Sequence, residues 1–314
     1  MAWPESLAGV PRPEPFEVAE ILTLALLVPF VLAPPPIESL VARGLARWQF
    51  REGGWTRGLR MAKFPPDLAR LTGRPAVELA AANETESFRE RIRILRAAVF
   101  PGWRRRISLA GFSAVRQGLS EGHGVILWVN HCTESNVAAK QAMWRAGLPL
   151  AHLSRAGHPF SARPFGRRWL NPLFLRAEIP FLAERIVIEG DSTVAQLRRL
   201  RALLSANQVV SITLAGDATA FDEVPLLGGV LKVPRGPAQL AASTGASLLP
   251  VFTHPTAGGR TRVEIGSPLP VGQPRRATES TAVAMAAWLE ARVIAHPAAW
   301  IGWRGRLFSP APER

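Results

Sequence analysis

Several things that would simplify the reading of this chain are missing from it. Among 314 residues there is one cysteine, Cys132, and no tyrosine. A lone thiol closes no internal disulfide, which excludes a secreted scaffold stapled by disulfides. No two histidines stand at metal-ligand spacing and the cysteine adds nothing to them, so no metal site is expected. Acids are scarce: 24 Asp and Glu face 38 Lys and Arg, for a formal charge of +14. There is no uninterrupted run of the roughly 18 or more apolar residues that a membrane-spanning helix needs. The apolar stretch Val18 to Ala33 is broken by Glu20, Thr23 and Pro29. It fits a signal peptide badly too, because Glu5, Glu14 and Glu17 outnumber Arg12 before it, the reverse of a positive leader.

What is present points to a packed protein that meets anions. Hydrophobic residues make up 47% of the chain and charged residues 20%, enough apolar surface for a large core and too much for disorder. Ten tryptophans accompany the arginine excess. That pair of residue types suits a membrane–water boundary, where an amphipathic ring and a cation share headgroup depth. It also suits stacking on single-stranded nucleic acid, but no nucleic-acid motif is present, so no such partner is expected. Pro34 to Pro36 end the apolar stretch, and Ile37, Leu40, Val41, Leu45 and Trp48 then recur at helical spacing, flanked by Arg43, Arg47 and Arg51. A basic amphipathic helix beside a short apolar one reads as an interfacial anchor on an anionic lipid surface. The competing reading packs both helices on the rest of the protein.

Residues 1–104 read as a helical region, 105–306 as an α/β domain and 307–314 as a tail. Within the first, Phe88 to Val99 is an arginine-rich amphipathic helix, and Arg104 to Arg106 form a basic knot before the first strand. Candidate strands follow at 107–110, 125–129, 149–153, 209–214, 246–252 and 261–265. Candidate helices fall at 112–121, 134–146, 164–174, 191–206, 237–244 and 278–295. This alternation predicts a mixed, largely parallel sheet flanked by helices. Asp191 and Ser192 are read as an N-cap, Pro237 and Gly245 as the start and stop of a helix, and Gly258-Gly259 as a hairpin turn.

The most informative stretch is Gly122-His-Gly-Val-Ile-Leu-Trp-Val-Asn-His-Cys-Thr-Glu-Ser-Asn136. An apolar strand delivers His131 to its C-terminal end just before a helix, the place where open α/β sheets bind ligands. His131 and Asn136, five positions on, resemble the HX4D/E signature of the lysophospholipid acyltransferase superfamily. Ile107 to Phe112, Leu119 to Gly124, the helix–strand unit Gly236 to Phe252, and the tail His296-Pro-Ala-Ala-Trp-Ile-Gly-Trp-Arg-Gly-Arg306 are similar, in that order, to segments of the late acyltransferases of lipid A biosynthesis.

The resemblance implies a glycerol-3-phosphate acyltransferase-like fold with a membrane-associating helical N-terminus, attached peripherally or by a short anchor to the cytoplasmic side of the inner membrane. It also implies transfer of a fatty acyl chain from acyl-coenzyme A or acyl carrier protein to a hydroxyl of a lipid or glycolipid, without a cofactor. His131 would be the general base. The family's acid is Asn136 here. An amide orients an imidazole but cannot stabilise imidazolium with a full charge, so Glu134 and Asp217 stand as alternative acids. A catalytically impaired lipid-binding protein on the same scaffold is the alternative. Cys132 is read as a buried small hydrophobe, Thr133 and Ser135 as helix-capping residues, and His158 and His254 as structural loop residues. For anionic groups of the substrates the candidates are Arg185, Arg235, Lys232 and Gly236, the last three at a helix N-terminus.

Overall fold

A computed structural model describes residues 13–51, 64–100, 102–189, 193–216, 218–272, 277–304 and 307–310. The protein is α/β, built on a mixed and mostly parallel sheet of seven strands flanked by helices. In chain order the strands of this sheet are β1 (Ile107–Ala110), β2 (Val125–Val129), β3 (Leu150–Arg155), β4 (Leu182–Ile188), β5 (Val209–Thr213), β8 (Ser247–Thr256) and β9 (Arg260–Ile265). Their spatial order is β1-β9-β8-β2-β5-β3-β4. The β8–β9 pair is antiparallel and the other five pairings are parallel.

Strand β2 shows why its sequence is an unbroken apolar run. Ile126 and Trp128 enter one core, while Val125, Leu127 and Val129 enter another, on the opposite face. A strand covered on both faces has no polar alternation to display. The first face is covered by helices α8 (Val194–Ser205), α9 (Gly236–Thr244) and α10 (Ala277–Ala295), the second by α5 (Phe112–Ser120) and α6 (Ser135–Arg145). The turn from β1 into α5 requires Gly111, at φ +77°, where a Cβ would lie 1.9 Å from the Ile265 carbonyl oxygen.

Before β1 the described residues form helices α1 (Pro15–Leu27), α2 (Pro35–Arg51), α3 (Pro66–Thr72) and α4 (Ala76–Val99). A third core joins α1, α2 and α4 to α7 (Pro164–Arg176). Helix α1 is unusual in what it buries. Glu17, Glu20 and Thr23 face inward, whereas Val18, Leu22 and Leu26, one turn apart, are 39–43% exposed. Glu17 Oε1 accepts hydrogen bonds from Ser161 Oγ (2.6 Å) and the Gly166 N–H (2.9 Å). Glu20 takes a bidentate pair from Arg91 of α4, at 2.8 and 2.9 Å. The polar residues Glu20 and Thr23 that interrupt the apolar run are therefore satisfied inside, beside buried Ala19, Leu24 and Leu27, while the stripe Val18, Leu22 and Leu26 faces outward. No described helix is long and apolar enough to cross a membrane.

The structure corrects the expected element map in three places. β6 (Phe221–Leu226) and β7 (Gly229–Pro234) form an antiparallel hairpin, joined by β10 (Phe308–Pro310) in a separate three-stranded sheet, where only a loop was expected. Pro225 and Pro234 disguise these strands, and their turn has Leu227 at φ +48° before Gly228 rather than an Asn-Gly signal. Strand β4 is a further addition. His254, expected in a loop, lies within β8, which runs on to Thr256. The Asp191-Ser192 cap lies outside the described residues.

Candidate active site

The carboxyl ends of β2, β5 and β8 share one edge of the sheet. Because β9 runs antiparallel to β8, and β1 parallel to β9, the starts of β1 and β9 lie at that same edge. At the end of β2 Asn130 is fully buried. Its backbone N–H and side-chain amide both donate to the Val251 carbonyl, at 2.8 and 3.1 Å. His131 follows, half-buried.

The segment that carries His131 is held by the C-terminal tail. The Ile301 N–H donates to the His131 carbonyl (2.8 Å), the Thr133 N–H donates to the Ala299 carbonyl (2.8 Å), and Cys132 forms an antiparallel bridge with Trp300. The tail is itself anchored. Trp300 and Trp303 are buried edge to face at 4.5 Å, and Asn83 of α4 donates to the Ala298 and Trp300 carbonyls. His296 stacks on His254 at 3.6 Å. Asn130 Oδ1 and Thr133 Oγ1, on either side of His131, are buried with no hydrogen-bond partner among the described residues. Such orphaned groups beside a half-buried imidazole suit a place where a ligand arrives.

The other expected site residues are scattered. Asn136 lies in the first turn of α6, but its side chain is outside the described residues, as is Asp217. Glu134, at the N-cap position of α6, is buried and forms an ion pair with Arg93 of α4. Arg235 is the N-cap residue of α9, with Nε 2.7 Å from Asp222 Oδ1. Gly236 opens α9 beside open space: a Cβ there meets nothing within 4 Å. Lys232 sits on β7, 3.3 Å from Glu223. Arg185 lies in the middle of β4, the outermost strand, in register with His152. It donates to Ser154 Oγ (3.0 Å) and the His158 carbonyl (3.1 Å), fastening the loop after β3.

Cys132 is buried, as expected, and burial pushes its thiol up to about 12, so it stays protonated at neutral pH. Ser135 closes a turn back to Cys132 rather than capping α6, which has no side-chain cap bond.

Two charged clusters were not expected as units. In the first, Arg93 Nε donates to Glu38 Oε1 (3.0 Å) and Arg96 Nη1 to Glu38 Oε2 (3.1 Å). Arg105 pairs bidentately with Glu90, at 2.5 and 2.8 Å. Burial, opposed by Glu38 and assisted by Arg89 and Arg105, holds the Arg93 guanidinium below its ordinary value. The only sequence signal is Arg89, Arg93 and Arg96 on one face of α4, at spacings of four and three.

In the second cluster, Lys140 Nζ lies 2.8 Å from Glu178 Oε1, His158 Nε2 3.3 Å from Glu178 Oε2, and His152 Nδ1 2.8 Å from Ser211 Oγ. Ligand-type atoms of His152, His158 and Glu178 thus come within 4.8 Å of one another, which linear spacing does not reveal. The Lys140 ammonium already neutralises the carboxylate there. Burial would raise Glu178, but Lys140 and the His158 hydrogen bond hold it well below the usual carboxylate range. Burial, then Lys140, pushes His152 well below its ordinary value, so it is neutral at pH 7.

Compared with known proteins, the chain matches no family model and no curated sequence.

Proposed function

We propose that this chain transfers a fatty acyl group from an acyl thioester, on coenzyme A or an acyl carrier protein, to a hydroxyl of a lipid or glycolipid. The observation that carries this reading is the position of His131. It stands half-buried at the carboxyl end of β2, between two orphaned polar groups, in a segment clamped by the C-terminal tail. In the reaction the acceptor oxygen attacks the thioester carbonyl while the imidazole takes its proton. Collapse of the tetrahedral intermediate expels the thiolate, which recovers that proton from the imidazolium. Asn136, Glu134 or Asp217 orients the ring. Arg235 and Lys232, with the Gly236 turn, are the candidates for anionic substrate groups, and Arg185 contributes by shaping the loop after β3.

The outward apolar face of α1, continued by Leu32 (79% exposed) and Leu40 (65% exposed), supports peripheral attachment to a membrane; the resemblance to the late acyltransferases is what puts the site on the cytoplasmic side. His131→Ala is expected to lower transfer about 10²–10⁴-fold in a labelled-acyl assay while the far-ultraviolet dichroism is unchanged. Near wild-type turnover would remove His131 from the mechanism. Asn136→Asp is expected to keep or raise activity, because it puts a full charge behind the imidazole.

One observation favours a second reading, a lipid-binding protein without turnover: the only described acid next to the motif, Glu134, is already paired with Arg93. That protein would bind lipid and turn over no acyl donor.

A further inference from the structure

The turn that presents His131 is tight. The Cys132 N–H donates to the Asn130 carbonyl at 2.9 Å, a three-residue turn with His131 at its centre. Cys132 is then bridged to Trp300, and a bridged pair projects to one face while the residues flanking it project to the other. Cys132 and Trp300 both enter the large core that α10 covers. His131 and Thr133, which flank the bridge, therefore share the opposite side.

What that side offers a reaction depends on which donors are still unused. An attacked carbonyl becomes an oxyanion, and an oxyanion is stabilised by hydrogen-bond donors. The N–H groups of Cys132, Thr133 and Ser135 are taken by the Asn130, Ala299 and Cys132 carbonyls. Asn130 Oδ1 can only accept, and its amide nitrogen is held by the Val251 carbonyl. The indole N–H of Trp300 is buried without a hydrogen-bond partner among the described residues, but it lies on the Cys132 side of the bridge. Thr133 Oγ1 is different. Thr133 is 3% exposed, its hydroxyl has no hydrogen-bond partner among the described residues, and α6 takes no side-chain cap from it. An unmatched buried hydroxyl costs free energy, and a valine would fill the same volume without that cost.

We propose that Thr133 is a further catalytic residue of the acyl transfer, its hydroxyl donating to the oxyanion of the tetrahedral intermediate. This assignment rests on the acyl-transfer reading above. The acceptor oxygen bonds to the thioester carbon as His131 takes the acceptor's proton. The carbonyl π electrons move onto oxygen, where the Thr133 O–H meets them. When the carbonyl re-forms, the C–S bond breaks and the thiolate leaves with the proton held by His131. Thr133 keeps its own proton throughout. A donor without a partner in the free protein gains its bond as charge develops, which lowers the barrier without tightening substrate binding.

The test compares Thr133→Val, which removes the hydroxyl and keeps the shape, with Thr133→Ser, which keeps the hydroxyl. The full chain is assayed with a labelled palmitoyl thioester, on coenzyme A or on acyl carrier protein, and a total lipid extract of the expressing cells as acceptor. Thr133→Val is expected to lower kcat about 10²–10³-fold, the loss that follows removal of one oxyanion donor. Its donor KM is expected to stay within about threefold, as for an interaction made only in the transition state. Its urea midpoint is expected to equal or exceed that of the wild type, because the substitution removes an unmatched buried polar group. Thr133→Ser is expected to retain most of the activity. A lowered midpoint in Thr133→Val, with Thr133→Ser equally impaired, would make the residue structural and overturn the assignment. An active wild type that depends on His131, beside an unimpaired Thr133→Val, would overturn the role of Thr133 alone. A wild type that transfers no acyl group, or transfers it equally well after His131→Ala, would overturn the acyl-transfer reading and this assignment with it.

Discussion

The two charged clusters beneath the surface of this protein are built to opposite plans. Around Glu38, arginines outnumber acids and face a cavity. Around Glu178, one ammonium meets one carboxylate in a closed interior, with His152 kept neutral beside them. Surplus charge facing open space is available to a ligand. Matched charge in a closed interior is already spent on its partner, and its role is to fix how α6, β3 and the turn after α7 meet. The difference teaches where to look for binding: proximity of charged groups alone does not make a site, whereas arginines that line open space stand within a ligand's reach.

The largest expected effect falls on the closed cluster. Glu178→Ala leaves the Lys140 ammonium buried without its partner, and breaking such a pair costs about 3–5 kcal/mol. Urea unfolding measures it. Loss of a proton from Lys140 would soften the penalty, since burial already holds its pKa down. Replacing both partners by apolar residues, Lys140→Met with Glu178→Leu, is expected to recover most of the loss. If the single substitution is harmless, the contrast between the clusters collapses. Arg106→Ala at the open cavity is expected to leave stability within about 0.5 kcal/mol, as for an exposed residue without a partner among the described residues.

A smaller effect sharpens the comparison through pH. His152 has a folded-state pKa below its unfolded value, so the unfolded chain takes up a proton first as pH falls through about 6.5. Stability is therefore flat above that point and declines below it, by roughly 2 kcal/mol at pH 5 if His152 stays neutral throughout. Glu178 acts in the same direction but only below its unfolded value of 4.5, so the interval between isolates the histidines. His296 is lowered too, by burial and then by His254. His152→Gln, which keeps a partner for Ser211, is expected to flatten most of the slope in urea unfolding between pH 7 and 5. An unchanged slope would assign the acid sensitivity elsewhere.

Much of the architecture was legible before any coordinates. β1 and β2 fall where their apolar runs predict, and α5, α6, α9 and α10 begin and end within a residue or two of expectation. Gly245 stops α9 in the left-handed conformation that glycine tolerates. The antiparallel turn at Gly258-Gly259 also agrees. The β6–β7 hairpin was not legible, since its prolines and the acidic pair Asp222-Glu223 obscure the alternation of buried Val224 and Leu226. At the candidate site the location of His131 was legible and its support was not. Nothing in the local pattern says that residues 299–301 pair with residues 131–133, or that Glu134 is matched by an arginine from α4.

The sequence by itself determined the alternation of strands and helices, the two-sided burial of β2 and the delivery of His131 to a strand end. These follow from side-chain periodicity and turn chemistry, which act within a few residues. Only the tertiary structure decided how charge is distributed inside. Glu20 is neutralised by a residue 71 positions away, and Arg304 reaches Asn83 across 221. A buried charge must find its counterpart wherever the fold brings one, so the pairing of charges, and with it the arginine-lined cavity, exists only once the chain has closed on itself.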